Sequence, residues 1–229
     1  TYASFTFRKK EKFFDVVTWS GNNSTNRQIP HSLDGPVGMI ILKCTSHATN
    51  WDVFHTSLGN TKRMLLNRND IAEQTSQEYW NNTSPTSANF TVGGSGNNNS
   101  TGRTYVAYVF ADVPGYQRHG SYLGNAAADG SFVWCGFRPR AIFIRRFDGN
   151  RNGYWYDTGQ NPFNTATDGI IFARDAVIEI DLIDIDILSN GFKLRESSAD
   201  INGAVPKNLF SAWGEAPLGG VGVSQARAR

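Results

Sequence analysis

The sequence predicts an all-β protein built from two tandem β-sandwich-like units of the jelly-roll type, and three observations carry that expectation. First, landmarks recur at a step of 103 residues: Thr1-Tyr2-Ala3-Ser4-Phe5-Thr6-Phe7 falls on Thr104-Tyr105-Val106-Ala107-Tyr108-Val109-Phe110, Phe110 falls on Trp213, and Thr18-Trp19-Ser20-Gly21-Asn22 falls on Ser121-Tyr122-Leu123-Gly124-Asn125. A period of that length marks copied units of domain size. Second, aromatic residues make up 13% of the 229 residues and Gly, Asn, Ser and Thr are abundant, while continuous Ala/Leu/Glu/Lys-rich windows are missing. That mixture favours strands and turns over helices. Third, short apolar or alternating runs are separated by turns bearing Gly, Pro and Asn.

In chain order, Thr1 to Phe7 reads as the closing strand of a preceding unit and Arg8 to Lys12 as a solvated junction, so 1–12 stands before the two complete copies. Unit one is expected over 13–115, unit two over 116–220, and a flexible basic tail over 221–229. Lys12 to Trp19 is the first strand of unit one, ending at the turn Ser20 to Ser24, whose Gly and Asn tolerate left-handed backbone angles. A short strand at Gln28 and Ile29 precedes a Pro-bounded corner from Pro30 to Pro36. Val37 to Lys43 is a continuous apolar run of the kind that builds a sandwich core, and Ala141 to Ile144 is its counterpart. Trp51 to Phe54 is matched by Tyr154 to Tyr156, with Trp51 set on Tyr154 and His55 on Asp157. Met64 to Asn67 adds a further strand, and Asp70 to Trp80 reads equally as a helical turn or a loop. Phe90 to Val92, matched by Phe192 to Leu194, leads through the low-complexity hairpin loop Gly93 to Gly102 into the strand Tyr105 to Phe110, worn in unit two to Asn208 to Trp213.

A net charge of +2 with one compact basic run, Arg8 to Lys12, gives no dense basic face, so nucleic acid is not an expected partner. No apolar run approaches the roughly 18 residues of a membrane-crossing helix. Cys44 and Cys135 occupy non-equivalent places in the repeat, which favours two buried thiols over a shared disulfide; two cysteines alone do not close a zinc site.

Chemistry-bearing candidates are few. Glu179, Asp181, Asp184 and Asp186 gather acids on one strand, with Leu182-Ile183 requiring a phase shift to bring all four to one face. Paired carboxylates suit glycoside hydrolysis or calcium; alternatively the isoleucines build the core and the acids keep an edge strand soluble. His31, His47, His55 and His119 are scattered, and no nucleophile elbow, zinc helix, P-loop or dinucleotide fingerprint is present, so no enzyme, cofactor or metal is expected. Aromatic side chains are the remaining currency for recognition: Trp51, Trp80, Tyr154, Trp155 and Tyr156 are the candidate ligand-binding residues, with Trp134 as a further flat face for sugar rings. The loops Gly93 to Gly102 and Gly149 to Gly153 are the expected recognition tips.

The segments TYASFTFRK, KFFDVVTW, IPHSL, GMIILK, WDVFH, SLGNTK, FTVG, TYVAYVFAD and LSNGFKL together resemble a tandem-repeat family of large virion proteins from tailed bacteriophages, especially those of marine bacteria and cyanobacteria, described as tail fibre-like. The resemblance runs from Thr1 to about Pro217 and implies a virion component, structural or adhesive, with no catalytic residue carried over. The expected role is a non-enzymatic tail fibre or tail-tip protein, assembled as a homotrimer on the virion appendage, whose partners are other virion proteins and a host-surface glycan or protein receptor. A purely structural tail, neck or capsid-decorating subunit and a polysaccharide-degrading tailspike are the alternatives; the latter needs carboxylates about 5–10 Å apart in a cleft.

Overall fold

The computed structural model describes residues 6–68, 74–75, 77–149, 151–172, 179–204 and 208–214. The protein is all-β, and its contacts divide it into two compact units, Phe5–Asp112 and the residues from Val113 onward. The tail at 221–229 and most of the strand expected at Thr1 to Phe7 lie outside the described residues. Thr6 and Phe7 are described and are not strand; the Phe7 ring packs at 5.4 Å from both Phe14 and Phe110.

In the N-terminal unit the strands are β1 (Phe14–Ser20), β2 (Arg27–Pro30), β3 (Val37–Cys44), β4 (Trp51–His55), β5 (Lys62–Leu65), β6 (Gln74–Thr75), β7 (Asn89–Val92) and β8 (Thr104–Ala111), with one helical turn, α1 (Gln77–Trp80). The C-terminal unit has β9 (Gln117–Tyr122), β10 (Phe132–Trp134), β11 (Pro139–Arg146), β12 (Gly153–Asp157), β13 (Ala166–Phe172), β14 (Glu179–Leu188), β15 (Gly191–Leu194) and β16 (Asn208–Gly214). In each unit the first strand pairs with the last, the last with the third, the third to sixth run as an antiparallel meander, and the second pairs with the seventh. Pairing of first with last and second with seventh is shared with a jelly roll; the meander replaces its alternation between sheets. In the N-terminal unit β2 and β7 form a separate ribbon, whereas in the C-terminal unit β14 also pairs with β15, so eight strands make one sheet ordered from β10 to β9.

Strand alternation decides what each sheet buries. Along β8, Tyr105, Ala107 and Val109 point into the core, and Trp19 of β1 lies between Tyr105 at 5.5 Å and Phe90 of β7 at 5.9 Å, joining ribbon to sheet. In the C-terminal unit the sheet folds over itself: Tyr122 of β9 and Phe210 of β16 meet Phe192 of β15 at 6.1 and 5.7 Å, around Ile142, Ile144 and Ile185.

The two units share irregularities as well as order. A register slip falls between Val37 and Met39 opposite Ala111 and Phe110, and the same slip falls between Pro139 and Ala141 opposite Gly214 and Trp213. Lys10 and Phe14 exchange backbone bonds across a turn with Lys12 at φ 59°, and Val113 and Gln117 do so across one with Gly115 at φ 79°. Pairing also corrects one expected match: Trp51 faces Lys43 and Gly153 faces Arg145, so Trp51 corresponds to Gly153, and Tyr154 to Asp52.

Each unit is tied by a buried asparagine. The Asn202 Nδ2 shares its two N–H groups among three acceptors, Asn125 Oδ1 (2.9 Å), the Ala127 carbonyl (2.8 Å) and the Glu196 carbonyl (2.7 Å), while its Oδ1 accepts from the Asn125 N–H (3.0 Å). Asn99 does the same 103 positions earlier, donating to Asn22 Oδ1 (3.0 Å) and the Ser24 carbonyl (2.8 Å) and accepting from the Asn22 N–H (3.3 Å). The main chains touch here too: Asn23 N–H meets the Asn99 carbonyl at 2.7 Å and Ala126 N–H the Asn202 carbonyl at 2.8 Å. Only glycine fits the preceding position, since a Cβ on Gly21 would stand 2.0 Å from the Ser100 oxygen and one on Gly124 2.4 Å from the Asn202 oxygen. A tryptophan and a tyrosine brace the same place, Trp19 Nε1 donating to the Asn98 carbonyl at 3.0 Å and the Tyr122 hydroxyl to the Ile201 carbonyl at 2.5 Å.

Asn202→Ala removes the bonds that this buried side chain makes to Asn125, Ala127 and Glu196, and is expected to cost on the order of 3 kcal/mol. Urea unfolding should show an earlier midpoint at unchanged slope, with a smaller shift for Asn99→Ala; an Asn202→Ala chain as stable as the parent contradicts the assignment.

Candidate functional site

Burial removes three of the expected ligand-binding aromatics, two of them through strand alternation. Tyr154 and Tyr156 lie on the inner face of β12 with Ile142 and Ile144, and the Tyr154 hydroxyl donates to Asp200 at 2.6 Å; Tyr156 is fully enclosed. Trp80 is buried edge-on against Phe54 at 5.8 Å. An enclosed ring has no face to offer a sugar, so these three are core residues. Trp155 takes the other face of β12, half-buried against Trp213 at 5.4 Å, and Trp51 is half-buried with the Lys43 ammonium 5.8 Å from its centroid.

The expected recognition loop Gly93 to Gly102 is likewise held down. Its Asn98 and Asn99 are fully buried, because they carry the bonds that tie the N-terminal unit, and only Thr101 and Gly102 are exposed. In the other loop, Arg151 is anchored to Asp200 at 2.8 Å and Gly153 already belongs to β12; Asn150 lies outside the described residues.

The acidic strand is β14, and its pairing with β13 slips between Asp181 and Ile185, where the sequence pattern required a phase shift. Asp186 is committed to Arg195, at 2.5 Å to Nη2. The side chains of Glu179 and Asp181 lie outside the described residues. Among the described residues no group of three or more His, Cys, Asp and Glu is arranged to hold a metal ion. His55 and Asp157, matched by the repeat, do the same work: His55 Nδ1 accepts from Ser57 N–H at 3.2 Å and Asp157 Oδ1 from Gly159 N–H at 2.8 Å, each capping the turn after its strand. Cys44 and Cys135 are free and buried, and burial pushes the Cys135 thiol up to about 12, which leaves it unreactive.

One buried ion pair stands out in the N-terminal unit. Asp52 is fully enclosed and bonded to Arg63, whose guanidinium lies 3.6 Å from the Tyr79 ring centroid. Burial pushes the Asp52 carboxyl up to about 6 against the opposing pull of Arg63 and Lys43.

Three of the five large apolar side chains exposed among the described residues lie together, beside the two edge strands of the C-terminal unit; Val16 and Phe163 are the others. Phe132 and Trp134 project outward from β10 while Val133 between them is buried; Trp134 is 53% exposed and Phe132 46%. Leu123, 57% exposed, is held near the start of β10 by Ser131 Oγ, which donates to its carbonyl at 2.8 Å. From β9 the Arg118 guanidinium reaches over the Trp134 indole, 4.5 Å from its centroid. Across the β10–β15 pair Lys193 stands opposite Phe132, with its charge taken by Asp129 at 2.8 Å. Arg118 has no carboxylate partner among the described residues. The arrangement is a flat aromatic platform with a cation at its rim that no described carboxylate compensates.

A protein-family model described as a domain of unknown function (DUF7483) matches residues 5–217, through both units. The chain belongs to the DUF7483 family. No curated protein and no solved structure matches it.

In this DUF7483 chain the platform belongs to one unit alone. Strand pairing sets Phe132 and Trp134 on Gln28 and Pro30, and the 103-residue step sets Arg118 on Asp15, which is buried under Ser32 and Lys9. Sequence reasoning named Trp134 but missed Arg118, Phe132 and Leu123. The available signal was the mismatch itself, aromatic residues in one copy where the other is polar.

The Asp52 pair fixes a pH dependence. Its folded carboxyl titrates near 6 rather than at 3.8, so the folded chain holds a proton that the unfolded chain has released between those values. The contribution is fully present below about pH 4 and lost as pH rises through 6, on the order of 3 kcal/mol. Relative to Asp52→Asn, the parent should lose stability between pH 4 and 7; a constant difference across that range contradicts the assignment.

Proposed function

We propose that this protein is a non-enzymatic adhesive and structural component of a tailed-phage virion, located at a tail fibre or tail tip and contacting the host surface, with a homotrimer as its working form. The resemblance of its motifs to tail fibre-like repeat proteins supports the particle, and the exposed platform of Phe132, Trp134 and Arg118 supports the adhesive role. The platform is the single observation on which that role rests. A rigid strand scaffold that changes its surface in one copy while leaving its ties intact is suited to recognition by position rather than by catalysis. Three copies per fibre would convert a weak site into useful avidity, since each further contact becomes intramolecular. Other virion proteins are the remaining partners in this reading.

Gold-labelled antibody against the chain should mark the distal tail of purified particles, and free chain should compete with adsorption in a manner lost in Trp134→Ala. Label on the capsid or neck, with adsorption unaffected by excess chain, would replace the adhesive role by a purely structural one.

A further inference from the structure

We infer that the Trp134–Arg118 platform is a binding site for an acidic saccharide, a uronic-acid-type sugar whose ring stacks on the aromatic surface while its carboxylate is taken by Arg118. The choice of a surface glycan rests on the adhesive reading above; the site and its demand for negative charge rest on geometry alone.

Three features select this occupant. The first is charge: Lys193 and Arg195 beside the platform are already matched by Asp129 and Asp186, whereas Arg118 is matched by no described carboxylate. A planar guanidinium with open donors binds a carboxylate through paired hydrogen bonds, and an ammonium does so only as a point charge. The second is shape. Phe132 and Trp134 stand two residues apart on one strand, roughly 7 Å, and leave a flat strip rather than a pocket. Arg118 lies over one part of the indole and Gly136 borders its six-membered ring, where an added Cβ would stand 3.0 Å from Trp134 Cζ2. Between these two neighbours the Trp134 side chain remains 53% exposed.

The third is size. A stable protein partner needs about 800 Å² on each side, which three exposed apolar side chains do not provide. Strand addition needs a usable backbone edge, and β10 is three residues long, flanked by Cys135 and Gly136 N–H groups already bound to the Asn190 carbonyl. A small ligand repeated along a polymer, held weakly at many sites, matches what remains. The N-terminal unit offers no second copy of the site, since Asp15, Gln28 and Pro30 occupy the corresponding positions.

The test uses the full chain and three probes in affinity electrophoresis and titration calorimetry: polyuronate, neutral dextran and an acidic peptide. Polyuronate should bind and dextran should bind at least about 10-fold more weakly, the worth of one charge-assisted contact. Arg118→Gln should remove that preference while leaving the weak neutral binding, Arg118→Lys should retain part of it, and Trp134→Ala should abolish binding to both polymers. Raised salt should weaken polyuronate binding alone. Trp134 is exposed and Arg118 half-buried, so unchanged thermal unfolding of the variants checks that the fold is intact. Equal affinity for dextran and polyuronate, tighter binding of the acidic peptide, no saccharide binding at all, or binding indifferent to Trp134→Ala each overturns the inference. If the chain marks the tail and competes for adsorption but ignores polyuronate, the site assignment fails and the adhesive role stands.

Discussion

The structure depends on a pair of side-chain amides that stand in for backbone. Asn99 and Asn202 each sit on a segment that passes under the turn following the first strand of their unit, where no regular ladder satisfies the main-chain groups. An amide supplies both a donor and an acceptor, so one residue answers a carbonyl and an N–H on the opposing turn. A carboxylate would repel the carbonyls and an alkyl group would leave everything unpaired. Both asparagine side chains are fully buried, so their own amide groups cannot turn to water if a partner is lost. Glycine at 21 and 124 follows from the same closeness, as does the left-handed backbone at Asn23 and Ala126.

Once that tie is fixed, the rest of each unit has limited freedom. The first strand is pinned to the segment before the last, the last strand lies between first and third, and the register slip beside Met39 and Ala141 recurs because the strands enter the sheet at the same place. Side chains at matched positions change identity while keeping their work: Trp19 and Tyr122 both donate to the segment below them, and His55 and Asp157 both cap a turn. Where no such task exists, positions diverge without penalty. Gln28 and Pro30 on one side, and Phe132 and Trp134 on the other, belong to that second class, while Asp15, opposite Arg118 in the repeat, is spent on Ser32 and Lys9.

The all-β class was legible because aromatic and β-branched runs broken by Gly and Asn leave little room for helix, and the core strands at Met39–Leu42 and Ala141–Ile144 could be read from apolar runs alone. The match of Gly21-Asn22 with Gly124-Asn125 was visible as a repeated dipeptide, but its partner was not: Asn99 sits in a low-complexity run that reads as an exposed loop, and only its distance from Asn22 in space reveals it as buried. The candidate site was legible in part. Abundance of aromatics pointed to recognition, yet Tyr154, Tyr156 and Trp80 are spent on the core, a distinction that depends on which face of a strand is covered. Arg118 was beyond reach because its meaning comes from lying over a ring sixteen positions away.

Amide hydrogen exchange resolved by residue tests the central claim most directly. If the buried asparagines hold both units, the N–H groups of Asn23 and Ala126, which lie in turns outside any strand, should exchange as slowly as those of Ile40 and Ile142 at the centre of the sheets. Exchange at Asn23 and Ala126 as fast as at the exposed Thr101 would mean that these turns open freely, and that the asparagine ties do not hold the fold.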